Sequence, residues 1–139
     1  MTQPKQIFIS SAGTDRNVAE SLALNLNSLG FQVVVDQEAS NPGDDWATVI
    51  DQSLMTSKAY LFLISPEALT SQWIGYEMGV ALARAKQNPE VKILPVVLPG
   101  TSISTVPQSF LQHQALDFNA IPETERTTKI QQALESAVA

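Results

Sequence analysis

The run Ala59-Tyr-Leu-Phe-Leu-Ile64, the break at Ser65-Pro66, and the segment Ser71-Gln-Trp-Ile-Gly-Tyr-Glu-Met-Gly-Val-Ala-Leu-Ala83 decide how this chain folds. An apolar run of strand length with no polar alternation reads as a central strand buried on both faces. Ser71 or Thr70 can cap a helix that begins near Gln72, because a hydroxyl there accepts from an otherwise unsatisfied N–H of the first turn. In that helix Trp73, Glu77 and Ala81 recur at i, i+4 and i+8 and share one face. Glu77 thus stands in the first turns of a helix, beside an indole and near the carboxyl end of a buried strand, where open α/β sheets bind ligands. Spacing alone leaves two roles open for it: a charge that suits the helix macrodipole, or a working group.

Outward from this centre, strands and helices alternate. Lys5-Gln-Ile-Phe-Ile-Ser10 is a short apolar strand, and Ser11-Ala-Gly-Thr14 is a loop of small residues. Thr14 or Asp15 caps a first helix whose apolar stripe is Val18, Leu22, Leu26 and Leu29, closed by Gly30. Phe31-Gln-Val-Val-Val35 is a second strand, expected to be covered on both faces. A polar loop from Asp36 to Asp45 carries the turn signal Asn41-Pro42-Gly43. A second helix starts at Asp44 and Asp45 and places Trp46, Val49, Ile50 and Leu54 at helical spacing. Beyond Ala83, Asn88-Pro89 stops the central helix. Val91 to Leu98 is a fourth strand, which Pro95 should interrupt or bring close to an edge. Gln114 to Phe118 is a fifth, at an edge. A closing helix from Glu123 to Val138 turns Ile130, Leu134 and Val138 inward. Gly75 and Gly79, four apart in one helix, predict a closely packed neighbour. His113 falls in a loop and reads as solvated.

This alternation predicts βαβ units and an α/β, flavodoxin-like three-layer sandwich, with a parallel five-stranded sheet of order 2-1-3-4-5. In that order the loops after strands one, two and three converge, bringing Ser10–Asp15, Asp36–Asp45 and Ser65–Glu77 together. The 139 residues suit a single domain, 1–139, of a size that also occurs as one domain within a longer protein. A net charge of −6 argues against a general binder of nucleic acid or anionic membrane. No run has the length of a membrane span and the first residues carry no signal-peptide pattern, so a cytoplasmic location is expected. Without cysteine there is no thiol chemistry and no Cys-ligated metal, and no other metal set is credible. Phospho-acceptor chemistry fails: it needs acids after strand one and an Asp ending strand three, where Ser10-Ser11 and Ser65-Pro66 stand. A flavodoxin phosphate loop is only weakly matched by Ser10-Ser11-Ala-Gly-Thr14.

Three segments in order resemble the TIR (Toll/interleukin-1 receptor) domain family over nearly the whole chain. Ile7-Phe-Ile-Ser10 with Asp15 looks like the family's first box. Val35-Asp36, leading to Pro42-Gly43-Asp44 and Trp46, looks like its second box and mobile loop. Ser71-x-Trp73-x-x-x-Glu77 looks like its Trp-x-x-x-Glu segment. The resemblance implies a bacterial-type enzyme in defence signalling, an NAD⁺ glycohydrolase or ADP-ribosyl cyclase with Glu77 catalytic. NAD⁺ is then substrate and no cofactor is needed. Ser10, Ser11, Ala12, Asp36 and Trp73 would contact the substrate. Asn41, Pro42, Gly43 and Asp44 would gate the site or mediate homotypic self-association, the expected partner interaction. Two alternatives stay open. One is a non-catalytic adaptor that works by assembly. The other is a nucleoside 2-deoxyribosyltransferase, whose neutral leaving base needs a second acid; Asp36, Asp44 and Asp45 are available for it.

Overall fold

The computed structural model describes residues 6–37, 54–108 and 115–136. Five strands, β1 (Gln6–Ser11), β2 (Gln32–Gln37), β3 (Ala59–Ile64), β4 (Lys92–Val97) and β5 (Leu116–Asp117), form one sheet. All pairings are parallel and the order is β2-β1-β3-β4-β5, as the alternation predicted. The described helices are α1 (Arg16–Ser28), α2 (Pro66–Leu69), α3 (Gln72–Gln87) and α4 (Arg126–Ser136), with a helical turn at 54–56. None is long and apolar enough to cross a membrane.

Side chains alternate across the pleat and build two cores. Ile7 and Ile9 of β1, with Leu61 and Leu63 of β3, face Leu22 and Leu26 of α1 and Ile130 and Leu134 of α4. Phe8, Tyr60, Phe62 and Ile64 face Ile74, Met78 and Ala81 of α3. All six side chains of β3 are buried, which is why that strand has no polar alternation.

Several sequence expectations are corrected by packing. In α1 the inward residues are Ala19, Leu22, Ala23 and Leu26, while Val18 and Leu29 are exposed. Two alanines let the helix lie close to the sheet, and the larger residues on either side turn outward. Gly30 ends α1 with φ +98°, a conformation that other residues rarely adopt. Asp15 holds the N-cap position of α1 without capping it, because a 3-10 turn (Gly13–Asp15) intervenes and its carboxylate is engaged elsewhere. Val33, Val34 and Val35 of β2 are half-buried, as befits an edge strand touching both cores. Pro95 does not interrupt β4. It pairs in register with Phe62 of β3, and β5 reaches only Val96 and Val97, so no ladder partner on that side needs its missing N–H. Among the described residues a Cβ added at Gly75 or Gly79 would meet nothing within 4 Å, so none of them packs closely on these glycines. The closing helix begins later than Glu123, since a 3-10 turn (Glu123–Glu125) precedes α4. Asp44, Asp45, Trp46, Val49, Ile50, His113 and Val138 lie outside the described residues.

Candidate active site

Ser65-Pro66-Glu67 starts α2 immediately after β3. The Ser65 hydroxyl accepts from the N–H of Ala68, and Pro66 takes the first helical position, where its missing N–H costs nothing. Ser71 then caps α3, accepting from the N–H of Ile74 at 3.2 Å. These two caps set where α3 begins, and so place Glu77 one turn and a half into it. Ile74, Met78 and Ala81 press α3 onto Phe8, Phe62 and Ile64, and Glu77 projects from the same inward side.

Glu77 has no solvent-accessible surface. Ser10, the penultimate residue of β1, is equally buried, and its Oγ–H donates to Glu77 Oε1 at 2.6 Å. That separation is within the range of an O–H···O hydrogen bond to a carboxyl oxygen. Sixty-seven residues apart in sequence, the pair closes the gap between the sheet and α3 at the carboxyl end of β1. A second contact ties the neighbouring loops together. The Ser65 hydroxyl, while accepting from Ala68, donates to Asp15 Oδ2. Burial pushes the Asp15 carboxyl above its ordinary value and nearby Glu67 pushes the same way, while the Ser65 hydrogen bond opposes both.

The other expected site residues fall as follows. Ser11 follows Ser10 in β1 and so faces the opposite side of the sheet, toward α1; it is 2% exposed, and its hydroxyl has no hydrogen-bond partner among the described residues. Ala12 is buried in the α3-side core and its carbonyl accepts from the N–H of Asp15. Asp36 lies beside Ser10 in the β1–β2 register, and Trp73 sits in the first turn of α3; the side chains of both lie outside the described residues. Asn41, Pro42, Gly43 and Asp44 also lie outside them. The structure therefore brings Ser10 and Glu77 together and adds Asp15 and Ser65, which sequence reading had not paired. The Ser-Pro-Glu signature of a helix start at Ser65 was the available sign.

At the opposite pole Arg84, two turns after Glu77 on α3, docks on the beginning of β3. Its Nη1 donates to the carbonyl of Ser57 at 2.6 Å and to the phenolic oxygen of Tyr60, and reaches the Leu54 carbonyl at 3.4 Å. The buried Tyr60 hydroxyl in turn donates to the Leu54 carbonyl. Desolvation raises the Tyr60 phenol above its ordinary value despite the guanidinium beside it. No cluster of acids or histidine able to hold a metal occurs among the described residues.

The family model for the TIR domain matches residues 7–137. A stimulator of interferon genes protein of Magallana gigas is 30% identical over 101 residues, covering 72% of this chain and 24% of that protein. A 2′ cyclic ADP-D-ribose synthase of Bacteroides thetaiotaomicron is 31% identical over 96 residues, covering 68% of this chain and 33% of the synthase. The chain thus spans a third or less of the length of these two relatives. In fold it matches the TIR domain of a Toll-related receptor of Hydra magnipapillata, with a TM-score of 0.69 at 17% identity over 96% of this chain and 98% of that domain. With a five-stranded sheet of the expected order and a family model spanning all but the chain's ends, the protein belongs to the TIR domain family.

Proposed function

We propose that this chain cleaves the bond between nicotinamide and ribose in NAD⁺, with Glu77 as the catalytic carboxylate. The observation that carries the reading is a carboxyl group withdrawn from water at the carboxyl end of the sheet and held by the Ser10 hydroxyl of β1. Nicotinamide in NAD⁺ is a pyridinium and departs as a neutral base, so no general acid has to protonate it. What rises along the reaction is positive charge on the ribose. An anion in a site of low dielectric stabilises charge that exists only in the transition state, and that is the binding which accelerates a reaction. Glycosidases, whose leaving oxygen would depart as an alkoxide unless protonated, use two carboxylates; this substrate relaxes the need for the second. Water attacking C1′ gives ADP-ribose, and a nucleophile within the same ADP-ribose gives a cyclic isomer. The name of the Bacteroides relative supports a product of the second kind.

In the described arrangement Glu77 is closed to solvent, so substrate reaches it only after a rearrangement. We propose that self-association of TIR copies supplies it, in a cytoplasmic defence response. Turnover per molecule then rises with protein concentration, and a flat dependence refutes this part. The principal test is chromatography of NAD⁺ incubated with concentrated protein. Glu77→Gln should slow NAD⁺ loss by roughly 10²- to 10³-fold, the range for removing a group matched to transition-state charge. Equal turnover by parent and variant removes the proposal. Exchange of bases between a deoxynucleoside and a free nucleobase would instead establish the transferase chemistry.

A further inference from the structure

β1 ends in two serines, and their hydroxyls go to different places. Ser11 faces the α1 side of the sheet, whereas Ser10 lies on the same face as Phe8, under α3. A hydroxyl carries one proton, and that of Ser10 is donated to Glu77 Oε1. While this bond stands, Ser10 has no proton to offer a ligand. Its backbone is held on both sides, in register with Asp36 of β2 and Phe62 of β3. The donor's position is therefore set by the middle of the sheet, whereas the glutamate ends a side chain with three rotatable bonds. Ordering such a side chain costs conformational entropy, and a catalytic carboxylate must be held in one geometry. The hydroxyl that meets it also offsets part of the cost of keeping the charge out of water.

From this geometry we infer that Ser10 is a positioning residue for Glu77, not a substrate contact: it holds Oε1 against the sheet so that the other oxygen meets the ribose. The inference rests on the reading of Glu77 as the NAD⁺-cleaving carboxylate. It separates two roles that kinetics distinguishes. A substrate contact changes KM, whereas a group that orients the catalytic carboxylate changes kcat.

The test is steady-state NAD⁺ cleavage by the whole chain, at a protein concentration where the parent's turnover per molecule is maximal. Ser10→Ala should lower kcat roughly 10- to 100-fold, the equivalent of one hydrogen bond to a charged group, with KM within about twofold. Ser10→Thr keeps the hydroxyl on a strand-favouring residue and should restore most of kcat. Its extra methyl enters a fully buried position. If it loses the parent's cooperative melting transition, Ser10→Cys replaces it; a thiol of similar bulk but weaker donation should fall between Ser10→Ala and the parent. A raised KM with unchanged kcat in Ser10→Ala would make Ser10 a ligand contact and overturn the inference, as would parent-like values of both. Thermal melts of Ser10→Ala, Glu77→Gln and the double variant give a readout independent of turnover. Non-additive shifts are expected, and additive ones also overturn it. An inactive Glu77→Gln alongside a fully active Ser10→Ala removes this inference alone. A parent that leaves NAD⁺ intact, or a Glu77→Gln that matches it, removes the NAD⁺ reading and this inference with it.

Discussion

The helix α3 meets the sheet at two polar points built on opposite plans. Near its C-terminal end a cation, half-buried Arg84, spreads its donors over neutral carbonyls and a phenol, and the backbone of Leu54 and Ser57 is satisfied in the exchange. Two turns earlier a carboxyl group, that of Glu77, sits wholly out of water against the hydroxyl of Ser10. The first arrangement gives the carbonyls where the chain enters β3 a charged donor, and its charge keeps contact with solvent. The second brings an ionisable group into the interior, where holding it as a carboxylate costs several kcal/mol unless its surroundings compensate. One point anchors the helix. The other uses that anchorage to keep an ionisable group where folding alone would not put it, as the catalytic role proposed for Glu77 requires.

The largest expected effect that could break this comparison is on stability, and it has opposite signs at the two points. Arg84→Met keeps most of the bulk but takes a charged donor from the Ser57 carbonyl and removes a partner of Tyr60. A loss of about 2–4 kcal/mol is expected from hydrogen bonds to a charged group, which in a chain of this length lowers Tm by about 10 °C. Glu77→Gln removes a buried ionisable group while keeping an acceptor for Ser10, so Tm should stay level or rise even as NAD⁺ cleavage collapses. Circular dichroism melts of the two variants decide it. A comparable fall in both would make Glu77 a structural charge and erase the distinction.

The anchor and the site were legible in the sequence to different degrees, for physical reasons. An unbroken apolar run fixed the bounds of β3, and Ser71 marked the start of α3, because burial on both faces and helix capping are local rules. From these, and from the alternation of elements, sheet order followed. Glu77 stood out because of its place on α3. Its partner did not, since Ser10 is 67 residues away and the choice among loop hydroxyls depends on which strand lies under the middle of α3. Tyr60 could have prompted a search, because a phenol in an apolar strand has to find a polar partner; that the partner is Arg84 is again a matter of tertiary register. The inward face of α1 was misread for a simpler reason. Hydropathy favours Val18 and Leu29 over Ala19 and Ala23, whereas close approach to a sheet favours the smaller side chains.

A finer test of the anchor uses its phenol. Tyr60→Phe removes the hydroxyl between Leu54 and Arg84 and should cost about 1–2 kcal/mol, less than Arg84→Met because the Ser57 contact survives. Its pH signature is distinctive. The phenol's folded value lies above its ordinary value of 10.0, so the unfolded chain releases this proton first as pH rises. The contribution is present below that ordinary value and lost as pH climbs through the higher folded value. The parent's denaturant midpoint should therefore fall with pH in that alkaline window more steeply than that of Tyr60→Phe. Parallel slopes would show that the phenol is not desolvated as the anchor requires.

The smallest expected effect lies at the edge of the site, in Asp15. Burial and Glu67 raise its carboxyl above the ordinary value of 3.8, against the Ser65 hydrogen bond, so the folded state takes up this proton more readily than the unfolded one. A raised value means that stability from this group is complete below its unfolded value and declines as pH rises through the folded one. At neutral pH the ionised carboxylate is thus a slight liability, softened because the group is only partly withdrawn from solvent. Asp15→Asn keeps an oxygen that can accept from Ser65 and removes the charge. It should raise Tm at pH 7 by no more than about a degree or two and flatten the dependence of Tm on pH just above 3.8. Because Asp15 joins loops rather than supporting Glu77, kcat should change far less than in Ser10→Ala. A comparable loss of kcat would extend the positioning network to Asp15 and Ser65, and would mean that both hydroxyl–carboxylate pairs hold the site in shape.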